Sequence, residues 1–98
     1  MDRASRAARL ADQIRDYLAA WLNQDFPGSL VSVSSVQLSV NGQYATVWLT
    51  FLGTAVNTPI KDIVRKRPYY QSKLRHSLNR AAVPLISFGV ELDSHGEI

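Results

Sequence analysis

The sequence contains no cysteine in 98 residues and only two histidines, His76 and His95. The first absence excludes disulfides, thiolate catalysis and cysteine zinc sites, and it fits a reducing compartment. The second leaves little scope for a histidine metal site; no metal and no other cofactor is expected. No run approaches the ~18 consecutive apolar residues of a membrane-spanning helix. The opening Met1-Asp2-Arg3-Ala4-Ser5-Arg6 lacks the apolar stretch of a secretory leader, and a cytoplasmic protein with no membrane partner is expected. Acidic residues are scarce where basic residues are dense. Residues 61–80 hold Lys61, Arg65, Lys66, Arg67, Lys73, Arg75 and Arg80 against Asp62 alone, seven bases to one acid and a net of +6. Residues 25–60 carry one charge, Asp25, and residues 81–98 carry Glu91, Asp93 and Glu97 with no base. The whole chain has a net charge of only +3, so the positive field is local, of the kind that attracts polyanions.

What is present suits a single globular domain. Hydrophobic residues make up 46% and charged residues 19%. A chain of this length buries somewhat over ~60% of its unfolded surface, enough for a core but little more. The domain is expected to run over residues 3–92, with a short polar tail at 93–98.

Residues 3–24 read as an amphipathic helix, because Ala7, Leu10, Ala11, Ile14, Leu18, Trp21 and Leu22 recur at three- and four-residue spacing. Pro27-Gly28 stops it. Residues 30–38 read as a strand whose alternation slips at Ser34-Ser35, which predicts a bulge. Asn41-Gly42 is a hairpin signal. Residues 43–52 form the return strand, with Ala45, Val47, Leu49 and Phe51 on one face and Tyr44, Thr46, Trp48 and Thr50 on the other. Thr58 and Pro59 are the expected cap and first turn of a short helix through Ile60, Ile63 and Val64. Pro68 separates it from a second helix over 69–80, which Pro68 is expected to open at its first position. Residues 85–92 form a last strand, with Ile86, Phe88, Val90 and Leu92 on one face. The order helix, strand, strand, helix, helix, strand predicts an α+β domain in two layers, a three-stranded sheet with helices on one face. The third strand is expected beside the first.

This α-β-β-α-α-β order is similar to the type II KH fold. The residues are closer still to one family. Val31-x-Val33-x-x-Val36-x-Leu38-Ser39 followed by Ala45-x-Val47-x-x-x-Phe51-Leu52-Gly53 resembles the core of ribosome-binding factor A. The stretch from Arg9 to Leu18 resembles that family's opening helix, and Val83-Pro84-x-Ile86-x-Phe88 resembles the start of its last strand. The resemblance implies a single-domain KH-like fold. It also implies a non-enzymatic assembly factor that binds the small (30S) ribosomal subunit and its 16S rRNA, assists late rRNA processing, and is released with the help of a ribosome-associated GTPase. A monomer is expected. The family's interhelical Ala-x-Gly kink corresponds here to Lys66-Arg67-Pro68. The family's arginine soon after the kink is Gln71 here, and the one just before the Val-Pro pair is Ala81.

The candidate RNA-binding residues are Lys61, Arg65, Lys66, Arg67, Tyr69, Lys73, Arg75 and Arg80. Arg65, Lys66 and Arg67 crowd a helix end, while Lys73 and Arg80, seven apart, fall on one helical face. A merely solvated face normally mixes both signs, and this one offers only Asp62. Of the two tyrosines after the kink, Tyr70 is expected inward with Leu74 and Tyr69 outward beside Arg67. There Tyr69 either stacks on a nucleotide or shields the core rim. Tyr44 and Trp48 are expected to be covered by Phe26, Trp21 or the tail. Left uncovered, they offer the alternative of a protein-interaction module built on the sheet face. Catalysis finds no support: there is no phosphate-binding glycine loop, and no Ser, His and Asp spacing implies a triad. Asp12 and Asp16, one turn apart, are expected to pair with Arg9 and Arg15 and so to offset Arg6 and Arg9. His76 reads as a surface helix residue.

Overall fold

A computed structural model describes residues 3–51, 59–80 and 82–91, with side chains from Ser5 onward. Six elements follow in the expected order: α1 (Arg3–Asp25), β1 (Val31–Leu38), β2 (Tyr44–Phe51), α2 (Ile60–Arg65), α3 (Arg67–Leu78) and β3 (Leu85–Val90). Thr58, Ala81, Leu92 and His95 lie outside the described residues.

α1 is held down by a stripe of Leu10, Ile14, Leu18 and Leu22, spaced four apart and all buried. Each such side chain contributes roughly 1.5–3 kcal/mol on leaving water. The stripe is narrower than the spacing suggested: Ala11 and Trp21 flank it half-buried, and Ala7 is exposed. Phe26 N–H closes the helix on the Leu22 carbonyl at 2.8 Å.

β1 and β2 pair antiparallel from Val31↔Phe51 to Leu38↔Ala45, and the register shifts between Val33 and Ser35. The bulge therefore falls at Ser34, where the phase slip placed it. The hairpin tip is less tight than Asn41-Gly42 alone implied. Gly42 takes a positive φ of 73° and Asn41 does not. Ser39 organises the loop instead: its hydroxyl donates to Asn41 Oδ1 at 2.7 Å and accepts the Tyr44 N–H at 3.0 Å.

β3 lies beside β2, not beside β1, giving the order β1-β2-β3. It runs parallel to β2, from Tyr44↔Leu85 to Leu49↔Val90. A parallel return needs a crossover, and α2–α3 supply one that shifts by a single strand width. β2 is thus the central strand, and its Ala45, Val47 and Leu49 are buried. They join α1, Ile63 of α2, Tyr70 and Leu74 of α3 and Ile86 of β3 in one core, so the helices share one face of the sheet. Phe51 and Phe88 pack against that core only partly buried. Val90, expected on the core face, is exposed at the end of its strand, past the helical cover.

On the open face, Trp48 is half-buried, but not by Phe26 or Trp21, which belong to the helical side. Its ring lies on Gly89, directly opposite in register: a Cβ on Gly89 would stand 2.7 Å from Trp48 Cζ3. Tyr44 is exposed.

Candidate nucleic-acid interface

The basic stretch folds as two short helices joined at Lys66. Pro59 is the N-cap of α2, one residue later than the sequence suggested, and its carbonyl accepts the Ile63 N–H at 2.9 Å. Lys66 is at once the C-cap of α2 and the N-cap of α3. Its N–H reaches the Asp62 and Ile63 carbonyls, and its own carbonyl accepts Tyr70 N–H at 3.1 Å. Pro68 is the second residue of α3 rather than the first. Either place lies in the first turn, where a missing N–H costs no helical bond. The two helices are therefore separate, as Pro68 implied.

Ile63, Tyr70 and Leu74 anchor this pair to the core, which turns Lys61, Arg65 and Arg75 to solvent and leaves Arg67 half-buried. Arg65 pairs loosely with Asp62 at 3.8 Å. Lys66 points differently. Its ammonium meets Asp25 Oδ2 at 3.1 Å and lies 5.0–5.7 Å from the ring centres of Phe26, Tyr69 and Tyr70. The three adjacent cations thus do not project together, because Asp25 at the end of α1 draws the middle one inward. Tyr70 hydroxyl donates to the same Asp25 oxygen at 2.7 Å. That hydrogen bond, more than the Lys66 pairing, holds the Asp25 carboxyl below its ordinary value. Burial, reinforced by Asp25, pushes the Tyr70 hydroxyl far up.

Tyr70 is buried and Tyr69 is 48% exposed, the split that the helical spacing indicated. Tyr69 carries lysines on its ring, with Lys66 at 5.0 Å and Lys73 at 5.1 Å from its centre. Lys73 also sits 4.5 Å from the Trp21 ring centre. Trp21 in turn stacks between Tyr17 at 5.4 Å and Tyr70 at 6.3 Å. The result is a patch in which aromatic faces and ammonium groups alternate across α1 and α3. Such a patch offers stacking and phosphate neutralisation side by side. The i, i+4 pair Tyr17 and Trp21 was the sequence signal for its α1 half.

Arg80 is not on the Lys73 face. α3 stops at Leu78, and Asn79 takes a left-handed conformation (φ 48°, ψ 50°) that turns the chain away. Arg80 instead lines a groove of about 520 Å³ with Arg6. Asp12 and Asp16 are both held by Arg15, at 3.9 and 3.6 Å, which leaves Arg6 without the offset that the sequence suggested. His76 is exposed on α3, with Nδ1 2.9 Å from the Ser72 carbonyl.

Gln71 carries a role that the sequence did not reveal. It is 3% exposed; its Nε2 donates to the Pro84 carbonyl and its Oε1 accepts the Ile86 N–H, both at 2.8 Å. Among the described residues no group of His, Cys, Asp or Glu is placed to hold a metal, and no helix is long and apolar enough to cross a membrane.

No family model matches the chain. Curated relatives do. The chain is 31% identical over 86 residues to ribosome-binding factor A of Bordetella pertussis, covering 85% of this chain and 65% of that protein. It thus spans just under two thirds of that relative's length. It is 32% identical over 87 residues to ribosome-binding factor A of Cupriavidus metallidurans, covering 86% of this chain and 71% of that one. Among solved structures, it is similar to ribosome-binding factor A from Thermus thermophilus, with a TM-score of 0.70, 19% identity, and coverage of 85% and 93% of the two chains. It is also similar, with a TM-score of 0.67, 18% identity and coverage of 81% and 88%, to a homology model of the Thermus thermophilus factor fitted into a cryo-EM map of a 30S complex. At these identities the structural likeness establishes the fold.

Proposed function

The chain belongs to the ribosome-binding factor A family, and we propose that it binds the small ribosomal subunit, contacts 16S rRNA and assists late rRNA processing without catalysing a reaction. One observation carries the reading. The α2–α3 unit presents Lys61, Arg65, Arg67 and Arg75 with a single acid, Asp62, beside an aromatic and lysine patch at Tyr69 and Lys73. A small rigid domain of this kind acts by binding one rRNA conformation more tightly than its alternatives, and only that difference moves the equilibrium. Phosphate contacts from the exposed arginines fix its position; Tyr69 and the lysines over it add a sequence-tolerant stacking surface. Lys66 contributes mainly by holding the helix junction to Asp25. The wider reading includes a monomer acting in the cytoplasm and a ribosome-associated GTPase in its release.

The test is co-sedimentation with purified small subunits across a salt series. Removing one cation from a phosphate flattens the plot of log affinity against log salt by ~0.7–0.9. An Arg65→Gln, Arg67→Gln variant, first shown folded by thermal melting, is expected to lose ~1.5 from the slope. Equal slopes for variant and wild type would reject this face as the RNA contact. Salt-insensitive binding to a protein would instead favour the sheet face, where the strands carry no charge and Tyr44 is exposed.

A further inference from the structure

The groove that Arg80 lines lies at the other end of the molecule from the helix junction. Asp25, which meets Lys66 at the junction, and Arg6 are separated by 19 residues of α1, roughly 28 Å of helix. Its floor is apolar: Ala7 and Leu10 of α1, Leu38 at the end of β1, and Val83 and Pro84 before β3. The hairpin tip, Asn41 to Gln43, also lines the groove, as do two cations, Arg6 from α1 and Arg80 from the segment after α3. Among the described residues that line it, none is acidic. Both arginines are exposed, and among the described residues neither has an ion-pair partner. The hairpin tip is open, since a Cβ at Gly42 would meet nothing within 4 Å.

We propose that this groove holds one nucleotide of single-stranded RNA, with its base against the apolar floor and its flanking phosphates on Arg6 and Arg80. The inference rests on the rRNA-binding reading and extends it to a second site. A volume of about 520 Å³ lies within the range of small-ligand clefts, ~300–1,000 Å³. An apolar floor with cations of one sign suits an unstacked base with its backbone, because every base has an apolar face and every linkage an anion. Two RNA contacts at opposite ends of α1 fix the orientation of the domain on its target, and each raises the effective concentration of the other.

Amide chemical shifts of the full chain, titrated with adenosine and uridine monophosphates and with inorganic phosphate, test the proposal. Both nucleotides are expected to shift Leu10, Gly42, Gln43 and Val83; phosphate alone is expected to leave Leu10 and Val83 in place. Arg6→Gln with Arg80→Gln should abolish the shifts. So should Ala7→Trp, which fills the groove without changing charge at an exposed helical position. Shifts confined to the Tyr69 and Arg67 region, or reproduced in full by phosphate, would overturn the proposal. In subunit co-sedimentation the double arginine variant is expected to lose ~1.4 from the salt slope, the value for two single-strand phosphates. If wild type co-sediments and this variant keeps the wild-type slope, the groove is rejected and the subunit-binding reading stands. If wild type fails to co-sediment, that reading falls, and the nucleotide shifts alone decide the groove.

Discussion

Replacing Gln71 by leucine removes two hydrogen bonds while keeping the volume of the side chain close to its original. The consequence follows from where β3 sits. β3 is an edge strand of the described sheet; Leu85 N–H reaches the Gln43 carbonyl just before β2, and Glu91 N–H reaches the Leu49 carbonyl within it. By the two-residue period of a strand, the Ile86 N–H points the other way, to the edge. Gln71 Oε1 accepts it there, and Gln71 Nε2 satisfies the Pro84 carbonyl two residues earlier. Ile86 and Pro84 are both buried, so water cannot replace the missing partners. Each orphaned buried group costs about 1–3 kcal/mol, and the better burial of leucine returns part of it. The net loss is ~2–4 kcal/mol out of the ~5–15 kcal/mol usual for a domain of this size. With a urea m-value of ~1–3 kcal/mol/M, the midpoint falls by roughly 1–3 M. Hydrogen exchange at the Ile86 amide should accelerate ahead of its neighbours in β3.

Gln71→Glu sharpens the test because it is isosteric. A protonated carboxyl can donate to the Pro84 carbonyl and accept from Ile86 N–H, as the amide does. The carboxylate cannot donate, and its charge is buried. The folded pKa of the introduced carboxyl would therefore lie above the unfolded value near ~4.3. Relative to wild type, the variant is most stable in acid. It loses stability as pH rises from the unfolded pKa through the folded one. A Gln71→Leu loss under ~0.5 kcal/mol, the size of an ordinary surface effect, or a Gln71→Glu deficit independent of pH, would refute the reasoning.

The other predictions concern two further contacts. Gly89→Ala places a methyl 2.7–2.9 Å from the Trp48 ring, so the ring must lift from the sheet. The expected cost is ~1–3 kcal/mol in urea unfolding. In a Trp21→Phe background, Trp48 emission should also shift to the red, and an unchanged emission would show that the ring does not depend on Gly89. Asp25 is held below its ordinary value of 3.8 by Tyr70 and Lys66. Its contribution is present above that value and lost as pH falls through the lower folded one. Asp25→Asn should therefore flatten the acid limb of the stability curve. Tyr70 is raised above its ordinary 10.0, so its contribution is present below pH 10.0 and lost as pH rises beyond it. Alkaline unfolding that is the same in Tyr70→Phe as in wild type would contradict this.

Local pattern was legible in the chain, and long-range partnership was not. The four-residue spacing from Leu10 to Leu22, the phase slip at Ser34 and the helix break at Pro68 are each decided by the residues that display them. Three other features are decided by residues far away. β3 sits beside β2 because of how the α2–α3 crossover returns, which no strand periodicity encodes. Gln71 looked like a missing arginine, yet its amide completes a strand edge 13 and 15 residues later. Lys66 looked like the centre of a cationic cluster, yet Asp25, 41 residues earlier, claims its ammonium. Charge counting along a sequence treats every cation as available to a ligand, whereas a folded chain commits some of them to its own joints. Asp25 stands at the carboxyl end of α1, where the helix dipole disfavours an acid and α1 has no base of its own in its last turn. Lys66 and the Tyr70 hydroxyl stabilise that acid from the junction of α2 and α3. The same three groups therefore fix the angle at which Arg65 and Arg67 leave the junction. On this argument Lys66→Gln should reduce subunit affinity chiefly by loosening the junction. It should lower the melting temperature and leave the salt slope close to wild type, the reverse of the pattern expected for Arg65→Gln with Arg67→Gln. A Lys66→Gln variant with an unchanged melting temperature and a slope flattened by ~0.7–0.9 would return Lys66 to the set of phosphate ligands.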